Sequence, residues 1–160
     1  MNLILCRATT EDAQELCSLF RDYQRELKSF GMEYTFPEEQ MESFLKGKIR
    51  PRMGACILAK DSERLIGFLF CSINRLSGYS YEASSLYGYI NEIYIVSAYR
   101  GQGVARALCE EAYSWLEDNG ITYAELMVLE NNNLGQRFWQ NQGFVPVSKV
   151  YGKKLIKTEE

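Results

Sequence analysis

Histidine is absent from this chain of 160 residues. Its absence excludes Ser-His-Asp and Cys-His catalysis and nearly all catalytic zinc sites, because each of these requires an imidazole. No apolar run approaches the roughly 20 residues of a membrane span, and the N-terminus lacks a signal-peptide pattern. We therefore expect a cytoplasmic protein with no membrane partner, whose chemistry depends on carboxylates, tyrosines, backbone groups or water.

The chain also lacks a large excess of charge of either sign and lacks cysteines at paired spacings. The net charge is −3, so the chain has no basic surface of the kind that binds nucleic acid. The five cysteines are odd in number and form no C-x-x-C pair, which favours free buried thiols over a metal site or disulfides. The length and the 46% of hydrophobic residues are typical of one domain, which we place at 1–160.

The order of periodic segments predicts a mixed α/β (α+β) domain with a central mixed β-sheet flanked by helices. Strands are predicted at about 3–7, 54–60, 65–74, 86–96, 122–129 and 144–156. The helices are predicted after a Thr9 or Thr10 cap, from a Thr35–Glu38 capping box to about Lys48, at 104–119, and in a short segment before Gly143. Residues 76–85 read as a polar loop.

One glycine-rich segment, Arg-Gly-Gln-Gly-Val-Ala at 100–105, joins a predicted strand to a predicted helix. The first N–H groups of a helix have no intrahelical partner and lie at the positive end of its dipole. Gly101 and Gly103 allow positive φ and the close approach of a ligand. The segment therefore predicts a phosphate or pyrophosphate site, although a tight turn would need the same two glycines.

Two common phosphate-binding motifs do not match this segment. A P-loop requires a lysine followed by serine or threonine, and neither residue type occurs in the segment. A dinucleotide fingerprint requires a third glycine where Arg106 stands, together with repeated strand–helix units that the chain is too short to supply.

The segment instead resembles the R/Q-x-x-G-x-G/A acyl-CoA signature of the GNAT superfamily, a group of acetyl-CoA-dependent N-acyltransferases. The resemblance extends through 91–100 and through 132–144, which is similar to the N-x-x-A-x-x-F-Y-x-x-x-G-F segment of that family. These motifs cover about 86–147, and the remaining chain follows the element order of the family. The resemblance implies a GNAT-like acyltransferase fold, acetyl-CoA as co-substrate and no metal.

The resemblance also implies how acetyl-CoA would bind. The pantetheine would add to the exposed edge of the strand at 86–96 like an extra strand, and backbone N–H groups of 101–105 would hold the pyrophosphate. Asn132 would contact the cofactor arm, cap the following helix, or do both. The implied cofactor-binding residues are Ile93, Tyr94, Ile95, Arg100, Gly101, Gln102, Gly103, Val104, Ala105 and Asn132.

Acyl transfer to an amine needs a group that accepts the amine proton, because an alkyl amine has a pKa near ~10.4. Glu92 is the candidate catalytic residue, since strand alternation places it on the same face as Tyr94 and opposite Ile93. A solvated or salt-bridged strand residue is the structural alternative. Trp139 stands where many members of the family have an acidic tyrosine, so the general acid stays open.

The acceptor is expected to be a primary amine of a small molecule or of a peptide or protein. Aromatic residues of the first helices and of the 76–85 loop could line its site, namely Tyr23, Tyr34, Phe36, Tyr79 and Tyr81. Two other functions remain open: a non-catalytic acyl-CoA-binding or regulatory module, and a nucleotide-phosphate binder unrelated to acyl-CoA. A homodimer is possible.

Overall fold

The computed structural model describes residues 1–76 and 86–155. The strands are β1 (Leu3–Arg7), β2 (Gly54–Asp61), β3 (Arg64–Arg75), β4 (Leu86–Ile95) and β5 (Ala124–Leu126). The helices are α1 (Ala13–Ser29), α2 (Glu38–Ile49), α3 (Val104–Asp118) and α4 (Asn133–Asn141). Two 3₁₀ turns, Thr10–Asp12 and Ser97–Tyr99, precede α1 and follow β4.

The strands form one sheet in the order β1-β2-β3-β4-β5. Neighbours among the first four are antiparallel, whereas β4 and β5 are parallel, which confirms the predicted mixed sheet. Helices α1 and α2 pack on one face and α3 packs on the other. Because both faces are covered, β2 and β3 are continuous apolar runs rather than alternating strands.

Strand β4 contains one extra residue. Phe70 pairs with Glu92 and Cys71 pairs with Ile90, so Asn91 is a bulge in the ladder. A bulge shifts the alternation of side chains by one position. As a result Ile90 and Ile95 both pack in the core beside α3, while Glu92, across from the α1–α2 core residue Phe70, faces α1 and α2.

Two predicted strands differ from the structure. Strand β5 contains only Ala124–Leu126 instead of 122–129, and residues 144–155 form no strand. A strand needs a neighbour for its backbone N–H and C=O groups. The segment 144–155 has the sequence of a strand but no ladder partner among residues 1–76 and 86–155.

The helix ends agree with the sequence in part. The N–H of Thr9 donates to Asp12 Oδ2 at 2.7 Å and opens the turn before α1, as predicted. The predicted capping box at Thr35 does not form, because α2 begins after Pro37 and the Glu38 carboxylate accepts a hydrogen bond from Arg21 Nε at 2.7 Å.

The end of α3 is the predicted glycine cap. Gly120 has φ +75° and its N–H donates to the Glu117 carbonyl at 2.9 Å. The N–H of Ile121 donates to the Leu116 carbonyl at 3.0 Å, which completes a Schellman motif.

The cysteines are free, as the sequence predicts. Cys6 is half-buried, and burial raises the pKa of Cys71 to about 11 and that of Cys109 to about 12. Within the described part of the chain, no helix is both long and apolar enough to cross a membrane.

Candidate active site

A cavity of about 530 Å³ lies where β4 leaves β5. The parallel pairing stops at Ile90 and Leu126, so β5 does not pair with the last residues of β4. Helices α1, α3 and α4 supply the other walls. The cavity is lined by most of the residues assigned to the cofactor from sequence: Ile93, Tyr94, Ile95, Arg100, Gly101, Gly103, Val104, Ala105 and Asn132.

Two predicted site residues do not line the cavity. The side chain of Gln102 turns back, and its Nε2 donates to the Ala98 carbonyl at 3.0 Å. Glu92 lies beyond Tyr94 along the α1–α2 face of β4.

The glycines of the loop are required by its backbone conformation. Gly101 has φ +72° and Gly103 has φ +84°, a region that side chains with a Cβ rarely adopt. A Cβ at either position would meet no atom within 4 Å, so packing does not demand glycine there. Gly103 is the N-cap of α3, and the unpaired N–H groups of the first turn therefore begin at the cavity wall.

Arg100 links the loop at 100–105 to α1 by an ion pair. Its Nε donates to the Ile95 carbonyl at 2.8 Å, and its two terminal nitrogens donate to both carboxylate oxygens of Glu26 at 2.9 and 2.6 Å. The guanidinium also lies 5.4 Å from the centre of the Tyr94 ring. This bidentate geometry is stronger than a single surface ion pair. The sequence motifs gave no signal for Glu26, which joins the site only through folding of α1.

Asn132 is both a helix cap and a cavity residue. Its Oδ1 accepts a hydrogen bond from the Gly135 N–H at 2.9 Å. A Cβ on Gly135 would lie 2.6 to 2.9 Å from the side-chain atoms of Asn132. Gly135 stands where the motif of the GNAT superfamily has alanine. Because it has no Cβ, it leaves room for the Asn132 side chain that caps α4.

The carboxylate of Glu92 is half-buried, and its surroundings offset only part of the cost of burying its charge. Its Oε2 is buried and has no hydrogen-bond partner. Burial raises the pKa of Glu92, and the positive charge of Lys48 on α2 opposes this only in part. Burial, and then the charge of Glu92, raises the pKa of Tyr23, whose side chain lines the cavity. The carboxylate is thus close enough to the cavity residue Tyr23 to act on it electrostatically, and burial disfavours its charged form.

The aromatic residues predicted to line the acceptor site do not lie together. Tyr23 lines the cavity, whereas Phe36 packs against the Phe44 ring with centroids 4.5 Å apart. Tyr34 is 82% exposed. Tyr79 and Tyr81 lie outside the described residues.

Trp139 is a packing residue at the cavity wall. It is 7% exposed, and its ring lies 4.9 Å from Phe138 and 5.4 Å from Phe144 between centroids. An indole N–H does not act as an acid near neutral pH. Tyr23, Tyr94 and Tyr99 line the same cavity and carry hydroxyl groups that could do so.

Comparison with known proteins identifies the family. The sequence model of the acetyltransferase (GNAT) family matches residues 13–144, and the chain belongs to this family. The match supports an acetyltransferase enzyme. No group of three or more potential metal ligands occurs within residues 1–76 and 86–155.

Individual relatives agree with this assignment. N-alpha-acetyltransferase 30 of Schizosaccharomyces pombe is 28% identical over 102 residues, which cover 64% of this chain and 65% of that relative. An uncharacterized N-acetyltransferase of Archaeoglobus fulgidus is 26% identical over 85% of this chain and 88% of its own length. A predicted acetyltransferase of Clostridium acetobutylicum, solved with acetyl-CoA, has a TM-score of 0.77 at 16% identity, over 95% of this chain and 96% of that chain.

Proposed function

We propose that this protein transfers the acetyl group of acetyl-CoA to a primary amine by direct attack of the amine on the thioester. The observation that carries the proposal is a cavity that reaches both the N-terminus of α3 and the end of β4 that β5 leaves without a partner on that side. The acceptor amine belongs to a small molecule or to a peptide or protein.

The residues around the cavity fit acetyl-CoA. The N–H groups at Gly103, Val104 and Ala105 would bind the pyrophosphate at the positive end of α3. The end of β4 offers main-chain groups to the amide-bearing pantetheine arm, as an added strand would use them. Leu134 and Phe138 on α4 supply apolar walls on the opposite side.

Glu92 receives the proton that the amine must lose. The nitrogen forms a bond to the acetyl carbon, the carbon–sulfur bond breaks, and the thiolate of CoA takes up a proton. Because Glu92 does not line the cavity, its proton arrives through a water molecule or past the Tyr23 hydroxyl. A raised pKa brings the carboxylate closer to the working pH, which suits a general base.

A thiol-release assay tests this function. Acetyl-CoA is incubated with the protein and a panel of amines that includes diamines, amino sugars and short peptides, and free CoA is measured. We expect release that depends on one class of amine. CoA and acetyl-CoA should also raise the melting temperature, whereas adenosine should not, because adenosine lacks the pyrophosphate that the start of α3 would bind. Tight acetyl-CoA binding without release for every amine would instead indicate a binding module.

Gly135→Ala separates the two roles of Asn132. The new Cβ displaces the Asn132 side chain, which costs about 1 kcal/mol of capping energy, while alanine in place of a helical glycine returns about 1 kcal/mol. We therefore expect an almost unchanged melting temperature but weaker CoA binding in a calorimetric titration.

The matched control for this variant is Gly47→Ala in α2, where a Cβ meets no atom within 4 Å. It should raise the melting temperature and leave CoA affinity unchanged. Equal CoA affinity in Gly135→Ala and in the wild type would show that Asn132 is only a cap.

A further inference from the structure

One carboxylate lies in the wall of a cavity whose other features suit an anion. The cavity is lined by Gly101 and Gly103 at the start of α3, and also by Glu26 of α1. Glu26 is the only acidic residue among the described residues of this lining. A bare carboxylate there would repel phosphate groups and oppose the helix dipole that attracts them. Glu26 would therefore weaken cofactor binding unless its charge were offset.

The charge of Glu26 is offset by Arg100. Both carboxylate oxygens of Glu26 accept hydrogen bonds from the terminal nitrogens of Arg100, at 2.9 and 2.6 Å. The side chains of Arg100 and Glu26 are 40% and 29% exposed, so water and salt screen their charges only in part. Because the two charges cancel, the cavity has a neutral pair at this point of its wall instead of a negative charge.

The guanidinium of Arg100 is also held by β4. Its Nε donates to the Ile95 carbonyl at 2.8 Å, and its carbon lies 5.4 Å from the centre of the Tyr94 ring. Its donors form a rigid planar fork, so they move together. A guanidinium that turned toward a phosphate would therefore break three hydrogen bonds and leave the aromatic ring. These contacts commit Arg100 to the cavity wall beside Glu26.

We propose that Arg100 promotes acetyl-CoA binding indirectly, by neutralising Glu26, and that Glu26 in turn holds the guanidinium against β4. The N–H groups at the start of α3 contact the pyrophosphate, and Arg100 and Glu26 are positioning residues beside them. This inference rests on the proposed cofactor site. In the rival arrangement, Arg100 leaves Glu26 and bonds a phosphate directly. A double-mutant cycle distinguishes the two arrangements, because it measures how far the effect of one residue depends on the other.

The cycle consists of Arg100→Gln, Glu26→Gln and the double variant, each titrated with CoA in a calorimeter. Glutamine removes the charge but keeps an amide that can form hydrogen bonds. Arg100→Gln should bind CoA about tenfold more weakly than the wild type, because Glu26 is then uncompensated. Glu26→Gln should bind CoA at least as tightly as the wild type. In the Glu26→Gln background, adding Arg100→Gln should weaken binding by less than about threefold, since no carboxylate remains to be neutralised.

A second arginine–glutamate pair on α1 supplies the matched control. Arg21 Nε donates to Glu38 Oε1 at 2.7 Å, and neither residue lines the cavity. Arg21→Gln and Glu38→Gln should leave CoA affinity unchanged. Melting curves without CoA show whether each variant is folded. Loss of the link between α1 and the loop should lower the melting temperature of all three variants of the cycle, whereas CoA affinity should decrease markedly only in Arg100→Gln.

Three results would overturn the proposal. An effect of Arg100→Gln that is as large in the Glu26→Gln background as in the wild type would show that Arg100 contacts CoA directly. Unchanged affinity in Arg100→Gln, or weaker affinity in folded Glu26→Gln, would show that the pair only braces the loop. If Arg100→Gln alone does not fold, the comparison of Glu26→Gln with the double variant still decides. A wild type that does not bind CoA would overturn the proposed cofactor site as well, so the two failures are distinguishable.

Discussion

Glu92→Gln is expected to lower kcat/KM for the amine by about 10²–10⁴, because the variant cannot accept the amine proton. The KM for acetyl-CoA should change little, since Glu92 does not line the cofactor cavity. Raising the pH should recover part of the loss, because more of the amine is then already neutral. The measurement is a pH series of steady-state rates on both proteins with a true acceptor.

The same variant should change stability in a way that identifies its environment. The pKa of Glu92 is raised in the folded protein above its ordinary value of 4.5. The wild type therefore loses stability as the pH rises from the unfolded pKa through the folded one, because ionising the buried carboxylate is unfavourable. Glu92→Gln carries no such charge, so its melting temperature should equal or exceed that of the wild type at alkaline pH and lose this advantage in acid.

Glu63→Gln is the control for the removal of a negative charge, since Glu63 lies exposed in the turn between β2 and β3. It should leave both the rate and the pH profile unchanged. A decrease of less than about threefold for Glu92→Gln across the pH series would show that Glu92 is not the base. A water chain or one of the cavity tyrosines would then be the better assignment.

Gly103→Val is expected to abolish measurable CoA binding. The side chain would project from a residue at φ +84° on the cavity wall, at the position where the first free N–H groups of α3 begin. The positive φ adds roughly 1–2 kcal/mol of backbone strain, so the melting temperature should also decrease. Calorimetric titration with CoA and a melting curve measure the two effects separately.

Gly120→Val separates backbone strain from blocked binding. Gly120 has φ +75° and open space where a Cβ would lie, as Gly103 does, but it ends α3 instead of beginning it. The two variants should lose similar stability, while only Gly103→Val loses CoA binding. Comparable CoA affinity in both variants would show that the glycine-rich segment is only a turn and does not bind CoA.

Local signals in the sequence predicted the backbone conformations at three positions correctly. The glycines of 100–105, the cap at Asn132 and the end of α3 depend on neighbours only a few residues away. For this reason their conformations could be read from the sequence. The walls formed by Glu26 and Phe30 depend on how α1 packs across β4, and no short motif contains that information.

The predictions that differed from the structure concern partners distant in sequence. The sequence of 144–155 is typical of a strand, but a strand also needs a hydrogen-bonded neighbour, and this segment pairs with none among residues 1–76 and 86–155. Thr35 and Glu38 have the spacing of a capping box, yet Arg21 on α1 bonds the carboxylate instead. Position 91 gave no sign of a bulge, because an extra residue is visible only when the register with β3 is known.

The bulge at Asn91 divides β4 into two segments that are out of phase. In the first segment Ile90 faces α3. The extra residue shifts the alternation of the second segment by one position, so that Ile95 faces α3 while Glu92 and Tyr94 face α1 and α2. If Asn91 instead took a regular place in the ladder, the residues after it would change faces, and Glu92 would share the face of Ile90, beside α3. The extra backbone position thus places the Glu92 carboxylate on the face of Tyr94, a cavity residue, instead of on the face of Ile90.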